Sequence, residues 1–277
     1  MLPTEMPMAE LASFAAGVAV AGAVSGVLAG VFGIGGGAVL VPVFYQVMTS
    51  LGVDEGVRMH VAVASSLAII VPTSLRSFQG HHARGVVDMD LLRSFLVPVP
   101  LGVLVATLIA ASISSDELRL IFAVIALAVG LRLVFNRESW RLGSEIPGNP
   151  WRAAIGLVIG LLSTLMGIGG GVMNNTFMSL YGRPMHQAVA TSAGVGVLIA
   201  VPGTIGYIWA GWGDPRLPLA STGYVNWIAV ALILPITLLV TPFGVTIAHA
   251  MKKRHLEIAF GAFLLFVSAR FFWSLYG

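Results

Sequence analysis

The chain has 277 residues and a net charge of +3, and 57% of its residues are hydrophobic while only 10% are charged. A soluble domain needs a larger polar share to cover its surface, so composition excludes that class and predicts a polytopic membrane protein, whose basic residues set topology rather than bind nucleic acid. The absence of cysteine excludes disulfides, thiolate metal ligands and thiol catalysis.

The N-terminal residues are predicted to lead into a membrane segment that the mature chain retains. Residues 1–10 contain no Lys or Arg, so they lack the positive region with which a signal peptide begins. The chain after Leu11 also stays apolar for longer than a signal peptide does. Eight apolar segments follow in order, several of them longer than the roughly 18 residues that indicate a membrane span. They cover residues 11–48, 60–78, 91–113, 117–135, 151–181, 186–210, 223–248 and 256–275.

The chain repeats itself. The long first and fifth segments are each interrupted by the string Gly-Ile-Gly-Gly-Gly, at residues 33–37 and 167–171. Residues 59–66 then resemble residues 185–192, and a third block recurs at a constant offset of 138 positions. In that block Leu118, Phe122 and Arg132 match Leu256, Phe260 and Arg270. We therefore expect two homologous membrane repeats, residues 1–140 and 141–277, divided in the polar stretch Arg137–Pro150.

The distribution of basic residues indicates how the halves are oriented. If all eight segments cross the membrane, the 15 Lys and Arg residues divide almost evenly between its sides. If the first and fifth segments turn back at their glycine strings, only Arg58, Arg119, Arg216 and Arg270 lie outside. Because Lys and Arg concentrate in cytoplasmic loops, the second arrangement is favoured. It leaves three crossings per half, so we predict an all-α fold of inverted repeats, each opening with a Gly-broken re-entrant helix.

The glycine strings predict a substrate site. Irregular backbone at membrane depth must be buried in protein or line a wet cavity, because hydrocarbon satisfies neither N–H nor C=O groups. A short helix that restarts at Ala38 or Val172 directs its free N–H groups and positive dipole end towards the break. Two such ends facing each other form an anion site near the midplane without a buried lysine. The alternative is that the glycines only allow close helix packing.

Four hydroxyl residues approach the depth of these strings. Ser65, Ser66, Thr191 and Ser192 occupy equivalent positions in the repeated blocks, five or six residues into their helices. Their hydroxyls are able to donate to an anion or to bond carbonyls of their own helix, and both uses stay open.

Two asparagines break the symmetry of the site. Asn174 and Asn175 stand where the first half has Leu40 and Val41. Amides in an apolar setting are costly without partners, so we expect at least one of them to recognise the substrate. The candidate substrate-binding residues are Gly33, Gly35, Gly36, Gly37, Ser65, Ser66, Gly167, Gly169, Gly170, Gly171, Asn174, Asn175, Thr191 and Ser192.

His60 and His186 are equivalent residues at predicted helix starts. Histidine titrates near neutral pH, which makes the pair a candidate proton relay. Their charged neighbours Arg58 and Arg183 favour an interfacial role instead.

Missing motifs narrow the function. The apolar segments carry Asp and Glu only at their ends, so a carboxylate relay in mid-membrane is unsupported. The chain has no GxxxxGK[ST], HExxH or GxSxG string. We therefore expect no enzymatic activity, no cofactor and no metal.

The glycine strings and the MHxAVA[ST]S blocks resemble the TauE/SafE family of sulfite-exporter-like permeases over nearly the whole chain. The resemblance implies two related halves, each with a glycine stretch and a downstream hydroxyl pair, here Ser65–Ser66 and Thr191–Ser192. It further implies transport of sulfite, sulfonates or related small anions across the cytoplasmic (inner) membrane of bacteria.

Three functions compete at this point. The leading hypothesis is a secondary anion transporter, preferably an exporter, whose partners are the small anion and the lipid bilayer and not nucleic acid. The second is an anion channel that uses the same site. The third is a membrane scaffold protein without flux.

Overall fold

The computed structural model describes residues 22–24, 26–27, 37–135, 141–250 and 253–276. The helices of the first half are α1 (Gly37–Ser50), α2 (Glu55–Ala83), α3 (Met89–Ser94), α4 (Pro98–Ser112) and α5 (Ser115–Phe135). Those of the second half are α6 (Trp151–Leu165), α7 (Gly171–Leu180), α8 (Met185–Ala210), α9 (Trp227–Ala250) and α10 (Lys253–Tyr276). A short antiparallel hairpin of β1 (Ser221–Thr222) and β2 (Val225–Asn226) precedes α9. Residues 22–24 and 26–27 are helical as well.

Four helices in the described ranges are long and apolar enough to cross a membrane, namely α2, α5, α8 and α10. They stand at equivalent places in the two halves, because α2 and α8 contain the MHxAVA[ST]S blocks and α5 and α10 contain the third repeated block. The chain is therefore an all-α, multi-pass membrane protein, as the sequence predicts.

Helices α2 and α8 form the centre of the bundle and pack against each other. Every residue of α2 from Val57 to Ile70 is buried, and so is every residue of α8 from Ala190 to Gly196. A helix that is buried on all sides has neighbours all round, so these two segments face protein rather than lipid. Helices α5 and α10 pack against each other and keep large apolar side chains such as Leu131 and Phe266 exposed.

Each half contributes a helix to the other half's packing. Helix α4 of the first half packs closely on α6 of the second, since a Cβ atom added at Gly102 would lie 2.9 Å from the carbonyl carbon of Leu157. In the same way, a Cβ atom added at Gly22 would lie 3.3 Å from Cγ2 of Ile236 in α9. Small residues allow such close approach of helices in membranes. The same pairing therefore occurs twice, with the roles of the halves exchanged.

One predicted apolar segment, residues 91–113, is two helices in the structure. Helix α3 ends at Ser94, three residues form a turn, and α4 begins at Pro98. Proline lacks the N–H group that a continuous helix needs, but it fits the first turn of a new helix. The 15 residues of α4 rise only about 22 Å, less than the roughly 30 Å of a hydrocarbon core.

The equivalent connections of the two halves differ in length. Helix α2 joins α3 through the short segment Arg84–Asp88, whereas α8 joins α9 through the longer segment Gly211–Asn226, which contains the hairpin. The long connection covers the start of α2, because a Cβ atom added at Gly56 would lie 2.5 Å from Nη1 of Arg216. One end of the central helix pair thus carries a cover that the other lacks.

Candidate functional site

The second glycine string separates α6 from α7. Residues 166–170, here called the break, follow Leu165 and precede the first helical residue Gly171. Gly167 and Gly170 have φ angles of 64° and 74°. Side chains other than glycine rarely adopt this left-handed conformation, which explains why glycine occupies both positions. That the break turns the chain back within the membrane stays a prediction, because helix bounds do not fix depth in a bilayer.

Helix α7 begins with unpaired backbone donors. No side chain caps its N-terminus, and the first N–H group to find a backbone acceptor is that of Asn174, which donates to Gly170 O at 2.8 Å. Within the described residues, no acceptor lies in hydrogen-bond range of the N–H groups of Gly169, Gly170, Gly171 and Val172. All four residues are buried. The first N–H groups of any helix lack intrahelical acceptors, so a buried helix start without a side-chain cap needs another partner for them.

The break lies between the two central helices. A Cβ atom added at Gly169 would lie 2.7 Å from Cγ2 of Ile70 in α2, and one at Gly170 would lie 2.6 Å from Cδ1 of Ile199 in α8. A Cβ atom on Gly196 of α8 would in turn lie 2.9 Å from the carbonyl oxygen of Gly169. The glycines therefore serve close packing as well as backbone conformation.

The first glycine string meets the break at its last residue. A Cβ atom added at Gly37 would lie 2.8 Å from Cα of Ile168 and would also contact the carbonyl oxygen of Gly167. Gly37 is the first residue of α1, so the N-terminus of α1 lies against the break that precedes α7. The other candidates of this string, Gly33, Gly35 and Gly36, lie outside the described residues.

Asn174, Asn175 and Ser192 form an amide cluster between α7 and α8. Asn174 is fully buried, and its Nδ2 donates to Ser192 Oγ at 2.8 Å and to Met178 Sδ at 3.4 Å. Ser192 Oγ donates to Asn175 Oδ1 at 2.7 Å. The Oδ1 atom of Asn174 is buried and has no hydrogen-bond partner within the described part of the chain. An unpaired buried amide oxygen costs about 1–3 kcal/mol, so the cluster lowers the stability of the fold unless another group satisfies this oxygen.

The remaining hydroxyls bond across the two halves. Ser66 Oγ donates to Gly167 O in the break at 2.8 Å. Ser65 Oγ accepts from the N–H of Asn226 at 3.1 Å, and Thr191 Oγ1 accepts from the N–H of Asp88 at 2.9 Å. None of these hydroxyls bonds to a carbonyl of its own helix. The structure thus places Ser66 at the break and Ser192 in the amide cluster. Ser65 bonds to the residue before α9, and Thr191 bonds to the residue before α3.

Asp88 and Asn226 are structural residues that sequence reasoning missed. Asp88 Oδ1 caps α3 by accepting from Leu91 N at 3.0 Å, and Asn226 Oδ1 caps the start of α9 by accepting from Ala229 N at 2.9 Å. The two residues are 138 positions apart, the offset of the third repeated block. That offset, together with the N-cap preference of Asp and Asn, is the signal that would have identified them.

The two histidines have different surroundings despite their equivalent positions. His60 is buried, lies 2.9 Å from Ala110 O through Nε2, and stacks on the ring of Tyr224 with centroids 4.7 Å apart. His186 is exposed. Neither hydrogen-bonds to the break or to the amide cluster, so their role as a proton relay stays a prediction. Among the described residues, no three His, Asp or Glu side chains come together as metal ligands.

The arginines at the start of α2 gather at one end of the molecule. Arg58 and Arg119 both lie over the ring of Tyr45, with guanidinium carbons 5.7 and 5.5 Å from its centroid. Arg216 approaches Gly56 at the same helix start. Three of the four arginines predicted to lie outside therefore share one end of the bundle.

Comparisons with known proteins agree with the helical bundle. The profile of the family described as Sulfite exporter TauE/SafE matches residues 18–271. A "Probable membrane transporter protein" of Haemophilus influenzae is 30% identical over 252 residues, which are 91% of this chain and 95% of the relative. Relatives of the same description from Methanocaldococcus jannaschii and Bacillus subtilis are 25% and 23% identical, over 88% and 91% of this chain and 90% and 94% of their own lengths. No solved structure matches the chain significantly.

Proposed function

The chain belongs to the sulfite exporter TauE/SafE family of membrane transporters, and on this premise we propose that it carries a small anion across the cytoplasmic membrane. The substrate is sulfite, a sulfonate or a related organic anion, and transport is secondary, with export as the preferred direction. The anion binds at the break, between α2 and α8.

The buried donors of Gly169 to Val172 are the observation that supports this proposal most strongly. Four buried N–H groups at the start of α7 have no acceptor in the described residues, so they are available to a ligand there. An anion at the N-terminus of α7 accepts these hydrogen bonds and gains from the helix dipole. The amide cluster lies on the next turn of α7 and supplies further polar atoms.

The site contains no fixed positive charge in the described residues that form it. Gly167, Gly169, Gly170, Gly171, Ser66, Asn174, Asn175 and Ser192 are all neutral. A neutral site holds an anion through hydrogen bonds and dipoles, so it avoids burying an unpaired cation when the substrate is absent. We therefore expect modest affinity and rapid release, which suit a transporter.

The inverted arrangement of the halves belongs to this proposal. Two hydroxyl-to-backbone bonds, Ser65 with Asn226 and Thr191 with Asp88, join equivalent residues in opposite halves. The exchanged helix packing of α4 with α6, and of Gly22 and Gly26 with α9, has the same twofold character. In inverted-repeat transporters such equivalence lets the two ends open alternately around a fixed central site.

Flux through purified protein in proteoliposomes tests the proposed function. We expect saturable uptake of radiolabelled sulfite, and counterflow when the vesicles are preloaded with unlabelled sulfite. Counterflow separates a carrier from a channel, because a channel does not couple the two directions of movement. Anion transport would be refuted if none of sulfite, methanesulfonate, acetate and phosphate showed saturable uptake.

A further inference from the structure

A polar cavity of about 510 Å³ opens at the end of the bundle opposite the long connection. Its lining residues come from the start of α3, the linker between the halves, α6 and the start of α8. They are Val87, Asp88, Met89, Asp90, Leu91, Ile146, Arg152, Arg183 and Gln187. Unlike the apolar surface of the surrounding helices, this cavity exposes mainly polar atoms. It is large enough for a hydrated small anion.

The two arginines of the cavity are free to bind an anion. Within the described residues, neither Arg152 nor Arg183 forms an ion pair with a carboxylate, and the buried Nε of Arg183 has no hydrogen-bond partner. Arg152 donates from Nε to Pro147 O at 3.0 Å, which fixes its position and leaves its terminal nitrogens available.

The two carboxylates of the cavity are engaged elsewhere. Asp88 uses Oδ1 to cap α3 through Leu91 N. The side chain of Asp90 is almost fully exposed and lies 3.9 Å from Nη1 of Arg93. The two arginines therefore keep unpaired donors in the cavity beside the charges of these two carboxylates, and planar guanidinium donors match the oxygens of sulfonates and similar oxyanions.

The cavity lies next to the layer of hydroxyls in front of the substrate site. Asp88 lines the cavity and donates its N–H to Thr191, whose neighbour Ser192 belongs to the amide cluster. Gln187 lines the cavity one helical turn before Thr191, on the same face of α8. An anion in the cavity is therefore separated from the amide cluster by about one turn of α8.

The equivalent place at the other end of the bundle is covered. There Arg216 lies over Gly56, and the ring of Tyr224 stacks on His60 at the start of α2. The N–H of Tyr224 also donates to Tyr207 O in α8 at 3.3 Å. One end of the central helix pair thus carries the polar cavity, whereas the segment Gly211–Asn226 covers the other end.

We propose that the polar cavity is a second, peripheral anion site in which Arg183 and Arg152 capture an oxyanion or sulfonate before it moves to the break. This inference rests on the proposed function. Arg152 and Arg183 belong to the side that charge distribution predicts as cytoplasmic, so an exporter loads its substrate here. Captured anions raise the local concentration at the mouth of the pathway, an effect that weakens as salt increases.

Charged thiol reagents test the peripheral site without a transport assay, because the chain has no native cysteine. Met89→Cys places one thiol in the cavity lining. The introduced thiol is modified by a methanethiosulfonate that carries a sulfonate and by one that carries a trimethylammonium group. Each modification rate is divided by the rate at which the same reagent reacts with free mercaptoethanol. We expect the sulfonate reagent to be favoured, and methanesulfonate to slow its reaction.

Three variants in the Met89→Cys background assign this preference to the arginines. Arg183→Gln should lower the ratio of anionic to cationic rates roughly fivefold, as expected for losing one unit charge some 8 Å away in water. Arg183→Lys should restore the ratio, and Arg84→Gln, which removes a charge outside the cavity lining, should leave it unchanged. Size-exclusion chromatography and melting temperature confirm that each variant is folded.

Two results would overturn the peripheral site. One is a mercaptoethanol-corrected ratio of anionic to cationic rates no greater than one, and the other is a ratio that Arg183→Gln does not lower. Either result is distinguishable from failure of the proposed function. Normal anion flux with no reagent preference refutes only the peripheral site, whereas a clear preference without flux of any anion refutes only the transport proposal.

Discussion

The hydroxyl pairs of α2 and α8 share one interaction and differ in the other. Ser65 and Thr191 each accept a hydrogen bond from the backbone N–H of a helix-capping residue, Asn226 before α9 and Asp88 before α3. Ser66 donates to a carbonyl of the break, whereas Ser192 bonds to two asparagine amides. The first member of each pair thus maintains the repeated scaffold, whereas the second members have different partners, the break for Ser66 and the amide cluster for Ser192.

Helices α1 and α7 show the same division. Leu40 in α1 is fully buried in the apolar core, while its counterpart Asn174 in α7 is equally buried but polar. Replacing a leucine by an asparagine in such a place reduces stability unless the amide has a use. The comparison therefore supports the proposal that α7, rather than both halves equally, recognises the substrate.

The largest effect is expected at Gly170, whose φ of 74° and contact with Ile199 leave no room for a side chain. Gly170→Val should abolish transport and lower the melting temperature, since a β-branched residue resists this backbone conformation. Gly148→Val is the matched control, because a Cβ atom there meets nothing within 4 Å.

Transport should be measured per correctly folded molecule, which separates loss of the site from loss of the protein. Wild-type flux in a folded Gly170→Val protein would show that the break does not hold the anion. Gly36→Val is the corresponding change in the first string and should also abolish transport.

Substitution of the asparagines should give the next largest effect. Asn174→Leu copies Leu40 and removes an amide donor for the proposed anion, and one hydrogen bond to a charged ligand is worth roughly 1.5–3 kcal/mol or about 10- to 150-fold in affinity. We expect at least about tenfold weaker anion binding by isothermal titration, with a smaller loss for Asn175→Val, which copies Val41. The melting temperature of ligand-free Asn174→Leu should not fall. Unchanged affinity in both variants would make the asparagines packing residues.

The second hydroxyls should differ in their contribution to stability. Ser192→Ala leaves the Nδ2 of the buried Asn174 without its oxygen acceptor, which costs about 1–3 kcal/mol. Ser66→Ala removes one ordinary hydrogen bond to Gly167 O, worth about 0.5–1.5 kcal/mol. Thermal unfolding in detergent should therefore place the Ser192→Ala protein below the Ser66→Ala protein. The reverse order would mean that the amide cluster does not stabilise the α7–α8 contact.

The smallest effect concerns the cover over the start of α2. The Arg216 side chain hydrogen-bonds to Asp214 and holds the pKa of that carboxyl below its ordinary value of 3.8. A lowered folded-state pKa stabilises the protein above the unfolded value, and this contribution disappears as pH falls through the lowered pKa. Asp214→Asn should thus lower the melting temperature slightly at pH 7, because an ion pair with so exposed a partner contributes less than about 1 kcal/mol to the free energy of unfolding. A difference that persisted unchanged below pH 3.8 would contradict this assignment.

The repeated strings made the symmetric parts of the fold predictable. The glycines at 167–171 predict an interrupted segment, and the structure has helix ends at Leu165 and Gly171 on either side. The blocks at 59–66 and 185–192 likewise identify α2 and α8, because helix-forming apolar sequence and equivalent positions agree.

The asymmetric parts were not predictable in detail. Whether Ser66 bonds its own helix or the break depends on which segment packs against α2, and that is a tertiary contact between distant residues. The polar cavity depends on the different lengths of Arg84–Asp88 and Gly211–Asn226, which sequence shows but does not connect to an opening. His60 and His186 occupy equivalent positions, yet His60 is buried against Tyr224 of the long connection and His186 is exposed.

Amide hydrogen exchange at the break tests the central claim most directly. The N–H groups of Gly169, Gly170, Gly171 and Val172 have no acceptor in the described residues, so a bound anion that accepts from them must slow their exchange. The measurement compares peptides covering 166–175 with and without a saturating anion that raises the melting temperature. We predict slower exchange in this segment and little change in the linker around Gly148. An anion that stabilises the protein while leaving exchange at residues 169–172 unchanged would contradict the account.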